Sequence, residues 1–271
     1  MISKSGQSAN LLRSCFDDID FERSDRPAVA VRLDFSDYEA EVHQHQHKQG
    51  QLILALHGAV TCKTENGLWI VPPDCGVWIP GGVSHSNQVT PNARLSYLFV
   101  QPGAATLPQH CCTLSVSPMI REMILRLADV PANSAQEDHV GRMVRVLLDE
   151  LAQMPIQGLD LPASSHPKIA AITAALMAEP SDRRTLVDWA AHVAMSERSL
   201  KRLMVQETGL TFGRWRRQLH LVIALRELAS GATVQRVSSD LGYESPTAFI
   251  VMFKKALGTT PTRYFANSFS E

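Results

Sequence analysis

The sequence predicts an α+β chain of more than one domain: an N-terminal β-barrel followed by a helical hairpin, then an all-α C-terminal domain with two helix-turn-helix units. Three observations predict it. Residues 28 to 101 break into short strand-like runs separated by Gly and Pro; the pattern turns helical after Pro118; and one helix-turn-helix grammar occurs twice beyond Pro167. At 271 residues and 45% apolar content the chain is long enough for two ordinary domains.

The strand-like runs are Ala28 to Phe35, Gln51 to Leu56, Val60 to Lys63, Leu68 to Val71, Val77 to Ile79 and Leu95 to Val100. Many short strands with frequent turns indicate a sandwich or barrel. Cys75, Trp69 and Trp78 sit in or beside these runs and read as barrel core. Beyond Pro118, Val140, Met143, Val144, Leu147, Leu151 and Met154 recur at three- and four-residue spacing, which indicates a helical hairpin. The stretch PIQGLDLPASSHP, residues 155 to 167, holds three prolines and no sustained period, and reads as an interdomain linker. The expected domains are therefore 1–154 (barrel about 25–105, helices about 117–154) and 168–271.

In TLVDWAAHVAMSERSLKRLMVQETG, Thr185 and Asp188 have capping-box spacing, and Leu186, Trp189, Ala190 and Val193 form one apolar stripe. A turn through Ala194 and Met195 leads to Ser196, whose hydroxyl can cap a second helix with Leu200, Leu203 and Met204 inward and a stop near Gly209. Arg198, Lys201 and Arg202 then point outward in its first two turns. Such a helix suits the major groove, where Arg or Lys bonds the O6 and N7 acceptors of guanine. About 49 residues on, TVQRVSSDLGYESPTAFIVMFKKALGTTPTRYF repeats the grammar. Val234, Val237 and Leu241 form the inner face, Gly242 and Tyr243 the turn, Ser245 the N-cap and Pro246 the first helical position; Phe249, Met252 and Phe253 pack inward. Between the units, Phe212 to Ser230 reads as one long amphipathic connector. Parallel reading helices at fixed separation would fit successive major grooves about 34 Å apart.

Charge agrees with this division. The formal net charge is only −1, but Lys168 to Glu271 carries 14 Lys/Arg against 9 Asp/Glu, leaving 12 against 18 before it. The basic half is the half suited to nucleic acid. Arg214, Arg216 and Arg217, crowded at the start of the connector, read equally well as phosphate contacts or as a solvated charge run. Five cysteines follow no disulfide or CxxC spacing; the vicinal Cys111 and Cys112 read as an uncoordinated loop pair. No signal-peptide layout or membrane-length apolar run occurs. A cytoplasmic location with no membrane partner is expected.

The last hundred residues resemble the DNA-binding domain of the AraC/XylS family of bacterial transcription regulators. The resemblance runs through LVDWAAHVAMSERSLKRLMVQETG and again from Gly231 through DLGYESPTAF and FKKALGTTPTRYF. It implies DNA contacts from Arg198, Lys201 and Arg202, with Ser196 and Ser199 beside them, and from Pro246, Thr247, Ile250 and Val251. Family members often carry a polar or basic residue at the position of Val251. Ile250 and Val251 offer only apolar contact, for instance to a thymine methyl, so the second unit is expected to add affinity more than discrimination.

Five of the ten histidines lie between His43 and His85. If His45 and His47 share a strand they face the same way, with Gln51 on the same parity. Together with PGGVSH, ending at His85, this resembles the two motifs of the cupin superfamily of small β-barrels, with Gln51 in place of the usual Glu. That resemblance implies a cupin-like domain with a divalent-metal site at His45, His47 and His85. The residues also fit a metal-free pocket in which these histidines bond neighbours or face solvent. The expected function is a regulator that binds double-stranded promoter DNA as a homodimer, through hairpin contacts at 118 to 154, under control of a small-molecule effector. The alternative is a metal-dependent cupin enzyme with a helical appendage.

Overall fold

The structure is a computed structural model that describes residues 26–35, 40–71, 75–91, 93–130 and 137–266; Cys15 lies outside them. The chain divides into two compact units, one comprising the residues up to Thr64 with Trp69–Gly158, the other Glu65–Leu68 with Leu159–Glu271.

The first unit is built from antiparallel sheets. One has the order β1-β8-β3-β6-β9-β10: β1 (Ala28–Asp34), β8 (Arg94–Val100), β3 (Gly50–His57), β6 (Cys75–Ile79), β9 (Cys112–Ser115) and β10 (Ile156–Gln157). Facing it are β5 (Gly67–Ile70), β4 (Val60–Thr64), β7 (His85–Val89) and β2 (Ala40–His45), adjacent in that order. Every strand-like run expected from the sequence is present.

The register explains why β3 and β8 read as nearly continuous apolar runs. Leu52 pairs with Leu98 and Ile53 with Tyr97, so successive residues alternate between two buried faces. Ile53, Leu95, Tyr97 and Phe99 point between the sheets, with Val60, Cys62, Trp69, Val77, Ile79 and Val89. Leu52, Leu54, Trp78, Leu98 and Val100 point outward and are covered by α1 (Pro118–Ala128) and α2 (Glu137–Leu151). Helix α1 begins where the Ser117 hydroxyl accepts from the Ile120 amide and Pro118 occupies the first turn; its buried Ile120, Ile124 and Leu127 form one stripe. Val140, Val144, Leu147, Leu148 and Leu151 do the same on α2.

Strands β2, β7 and β9 were not expected. The first two, AEVHQH and HSNQV, are polar because one side faces away from the core: β7 buries only His85, Asn87 and Val89. The vicinal cysteines are not a loop pair, since Cys112 is a buried residue of β9 paired with Trp78. The stretch 155–167 is structured as well. Ile156 and Gln157 pair with Leu114 and Thr113, and Asp160–Pro162 forms β11, where Ala163 donates to the Asn66 carbonyl at 3.1 Å.

The second unit, apart from β11 and the start of β5, is helical: α3 (Pro167–Ala178), α4 (Leu186–His192), α5 (Glu197–Thr208), α6 (Phe212–Ala229), α7 (Val234–Asp240), α8 (Pro246–Leu257) and α9 (Pro261–Ala266). Helix α6 departs from the expected amphipathic connector. Residues Leu219 to Leu225 are all buried, because α5, α7, α9 and β11 pack against it from different sides. The Trp215 indole donates to the Pro162 carbonyl at 3.1 Å and closes its N-terminal end. Among the described residues no helix is long and apolar enough to cross a membrane.

Candidate DNA-reading and ligand sites

The first unit of two helices is fixed by its caps. Thr185 accepts from the Asp188 amide while the Asp188 carboxylate accepts from the Thr185 amide, a complete capping box. Hydrogen bonds from Thr185 hold the Asp188 carboxyl below the usual carboxylate range. The guanidinium of Arg184 lies with one face 3.8 Å over the buried Trp189 ring, and its N–H edge donates to the Asp182 carboxylate. Helix α4 ends at Val193, and Ala194 turns the chain with φ 51°, the one positive-φ residue other than glycine among the described residues. Lys168 donates to the Ala194 carbonyl at 3.1 Å and braces that turn.

Ser196 then caps α5, accepting from the Ser199 amide at 3.2 Å and donating to the Ser199 hydroxyl at 2.9 Å. Both expected DNA-contacting serines are thus tied into the cap, Ser196 exposed and Ser199 half-buried. Leu200 and Met204 are buried beneath, and Gly209 ends the helix in the left-handed conformation. Arg198, Lys201 and Arg202 are exposed side by side on the outer face of the first two turns.

The second unit repeats this with different chemistry. Thr233 caps α7, Ser245 accepts from the Ala248 amide at 3.2 Å, and Pro246 and Thr247 are exposed in the first turn of α8. Val251 is 62% exposed on the outer face, whereas Ile250 is half-buried. The inward side forms a chain of ring contacts, Tyr243 to Phe249 to Phe253 to Tyr264, which fastens α8 to α9. Of the crowded connector arginines, Arg214 and Arg217 are exposed. Arg216 is half-buried and donates to the Arg184 carbonyl at 3.1 Å, which makes it a structural residue rather than a free cation.

In the N-terminal unit the expected histidines meet, for a different reason from the one the sequence suggested. Strand β2 ends at His45, which pairs with His85 at the start of β7; His47 lies beyond the strand in the turn to β3. The strand parity of His45 and His47 is therefore not what aligns them. That turn is held by Gly82, which donates to the His47 carbonyl at 2.8 Å with φ +80°, while a Cβ on Gly81 would collide with the Lys48 carbonyl. The ring centroids lie 4.3 Å (His45–His85), 5.3 Å (His47–His85) and 5.9 Å (His45–His47) apart. Burial is the chief cause that lowers the pKa of His47 and brings that of His85 down to about 4, so both rings are neutral at ordinary pH. Gln51, on the barrel-facing side of β3, places Oε1 3.0 Å from Nε2 of His47. A separate cavity of about 220 Å³ lies over Trp78, between Lys48, Gln101, Leu107 and Gln109.

Residues 29–158 match the family described as the AraC-like ligand binding domain, and residues 189–267 match the helix-turn-helix domain. The chain is 53% identical over 245 residues, 90% of each chain, to the HTH-type transcriptional regulator NimR of Escherichia coli. The chain belongs to the AraC/XylS family of transcription regulators. The HTH-type transcriptional regulator RipA of Corynebacterium diphtheriae is 33% identical over 89 residues, 33% of this chain and 27% of that one. Among solved structures, ToxT of Vibrio cholerae is similar at TM-score 0.38 and 9% identity, over 90% of this chain and 98% of that one.

This AraC-type regulator thus joins a ligand-binding domain to a DNA-binding domain of two helix-turn-helix units. Sequence reasoning missed two braces of the AraC-type domain, Lys168 on the first turn and Arg183 on the second. Neither had a signal in the sequence, because each acts on a backbone carbonyl, and a carbonyl has no residue type.

Proposed function

We propose that this regulator recognises promoter DNA chiefly through Arg198, Lys201 and Arg202 of α5, with Pro246, Thr247 and Val251 of α8 holding the second unit in the next major groove. The observation that carries this is the contrast between two equally well capped helices. One presents three exposed cations in its first two turns, the other an exposed valine. Cations in that position reach guanine edges or phosphates, whereas an apolar residue reaches only a thymine methyl. Ser196 and Ser199 stand at the amino end of α5, where backbone amides and hydroxyls suit a phosphate.

The AraC-like domain binds a small-molecule effector, and its two helices supply a dimer contact. Met119 of α1 and Val146 of α2 are each 49% exposed, large apolar residues left outside the stripes that cover the sheet. Effector binding alters the freedom of the DNA-binding domains through the stretch 155–167, which requires that the effector favour one of two states. Footprinting the region upstream of its own gene, with and without candidate metabolites, tests the reading. A discrete protected site whose affinity falls steeply with salt is expected, since phosphate neutralisation releases counterions. Salt-independent or sequence-indifferent binding refutes it.

A further inference from the structure

The cavity of about 220 Å³ over Trp78 lies on the outer face of the sheet that carries β3 and β6, away from the barrel interior. Trp78, Val100 and Leu107, which line it, belong to the apolar cluster on the outward side of that sheet, not to the one between the sheets. Trp78 is held on two sides. Gly50 lets the indole lie against the backbone of β3, since a Cβ there would collide with the ring, and the indole N–H donates to the Pro108 carbonyl at 2.8 Å. The segment 101–109 makes another wall. It is tied down at its start, where the Gln101 amide donates to the Pro27 carbonyl at 2.9 Å and the Ala104 amide to the Gln101 carbonyl at 3.1 Å, and at its end by the Trp78 bond and the buried Leu107. A stretch without helix or strand is thus fixed beside a rigid ring, and a wall ordered before binding has little freedom to lose.

The lining fixes the class of ligand. Lys48 is the one residue of formal charge among the described residues that line the cavity, and no carboxylate accompanies it. The other polar side chains are two amides, Gln101 and Gln109, the second steadied by its bond to the Leu107 carbonyl at 3.1 Å. An amide both donates and accepts, as a hydroxyl does, whereas an ammonium only donates and suits an anion. Trp78 offers an apolar surface against which the C–H groups of a ligand can pack. The volume lies below the ~300 Å³ at which ligand pockets ordinarily begin, so the occupant is small.

We propose that this cavity binds a small hydroxycarboxylate, its carboxylate on Lys48 and its hydroxyls on Gln101 and Gln109, and that such a compound is the regulator's effector; the regulatory half rests on the reading of this domain as the effector-binding one. The position suits control. Trp78 and Leu107 share one packed cluster with Ile120 and Ile124 of α1 and with Val144 and Leu147 of α2. An occupant that moves the 101–109 wall therefore reaches the seat of both helices, because a close-packed cluster passes on a displacement rather than absorbing it.

Three six-carbon probes separate the contributions: D-gluconate, sorbitol, which lacks the charge, and hexanoate, which lacks the hydroxyls. Each is titrated against the full-length protein by ligand-observed saturation-transfer NMR, with chelator present so that no carboxylate reports on a metal. Gluconate is expected to bind saturably, and sorbitol and hexanoate at least about tenfold more weakly, the difference that a charge-assisted or hydrogen-bonded contact makes. Lys48→Gln and Gln109→Ala, both at exposed positions where folding is safe, divide the effect. The first should weaken gluconate about tenfold and leave sorbitol unchanged; the second should weaken gluconate severalfold and leave hexanoate unchanged. No saturable gluconate binding, or equal binding to Lys48→Gln, overturns the site; sorbitol or hexanoate binding as tightly as gluconate overturns the ligand class. Promoter footprints are taken on the same samples. A metabolite that shifts the footprint of the wild type and of Lys48→Gln alike refutes this cavity as the effector site alone, and gluconate held at Lys48 while no compound alters the footprint refutes the effector reading of the domain alone.

Discussion

The guanidinium of Arg183, ahead of the first helix-turn-helix unit, donates to the carbonyl of Gly242, in the turn of the second, through Nη2 at 2.7 Å and Nε at 3.2 Å. Gly242 has φ +72°, and a Cβ there would meet the Ser181 carbonyl at 2.8 Å, so the two segments approach as closely as backbone allows. Arg183 also lies 3.6 Å from Glu244, but both side chains are mostly exposed and that pair contributes little. Arg183 is therefore a brace between the two reading helices. Arg183→Ala should lower domain stability by about 1 kcal/mol in denaturant titrations, a charge-assisted bond at a partly exposed site being worth less than a buried one. It should weaken binding to a complete site more than to a half-site carrying only the first unit's sequence. Equal loss on both would make Arg183 a DNA contact instead.

The contrast between the reading helices gives a second expectation. Arg198→Ala or Lys201→Ala should cost about 1 to 3 kcal/mol on the specific site and much less on random DNA, read by fluorescence anisotropy at fixed salt. Val251→Ala should leave the Tm nearly unchanged, since the side chain is 62% exposed. Its effect should be confined to sites with thymine at the contacted step. If Arg198→Ala weakens both kinds of DNA alike, the residue touches phosphate.

Ala194 turns the first unit with φ 51°, where the second unit uses Gly242. A left-handed alanine costs about 1 to 2 kcal/mol in the folded state, and glycine loses part of that gain through its freer unfolded chain. Ala194→Gly should therefore stabilise the domain by up to about 1 kcal/mol, seen as a higher denaturation midpoint at unchanged slope. A lower midpoint would show that the freer unfolded chain of glycine outweighs the strain it removes.

His220, buried in α6 with Nδ1 3.3 Å from the Tyr243 hydroxyl, has its pKa lowered to about 4, first by burial and then by the nearby charge of Arg216. In the unfolded chain the ring titrates near its ordinary value of about 6.5. Between these values the unfolded chain holds more protons, so stability falls as pH is lowered from about 6.5 to about 4 and is untouched above that window. The slope from this ring is at most about 1.4 kcal/mol per pH unit. Its replacement in His220→Gln should flatten the acid limb of the Tm profile; an unchanged limb would mean the ring is solvated.

The sequence by itself determined the parts of this protein that depend on short spacing. Caps at Thr185, Ser196 and Ser245, the stop at Gly209, and the outward cations of α5 follow from local rules of helix formation, which act over a few residues. Short strand-like runs broken by Gly and Pro likewise marked the strands that bury most apolar side chains. Strands β2 and β7 were illegible because their pairing, His45 against His85, joins residues forty positions apart and leaves polar side chains on the open face. The histidine cluster was legible as three residues and illegible as a geometry. It is the antiparallel register of β2 and β7, with the Gly82 amide pinning the His47 turn, that brings the rings together. Helix α6 shows the same limit in the other domain. Only packing from several sides at once makes a helix with polar positions bury Leu219 through Leu225, and no pattern within its own eighteen residues encodes how many neighbours will cover it.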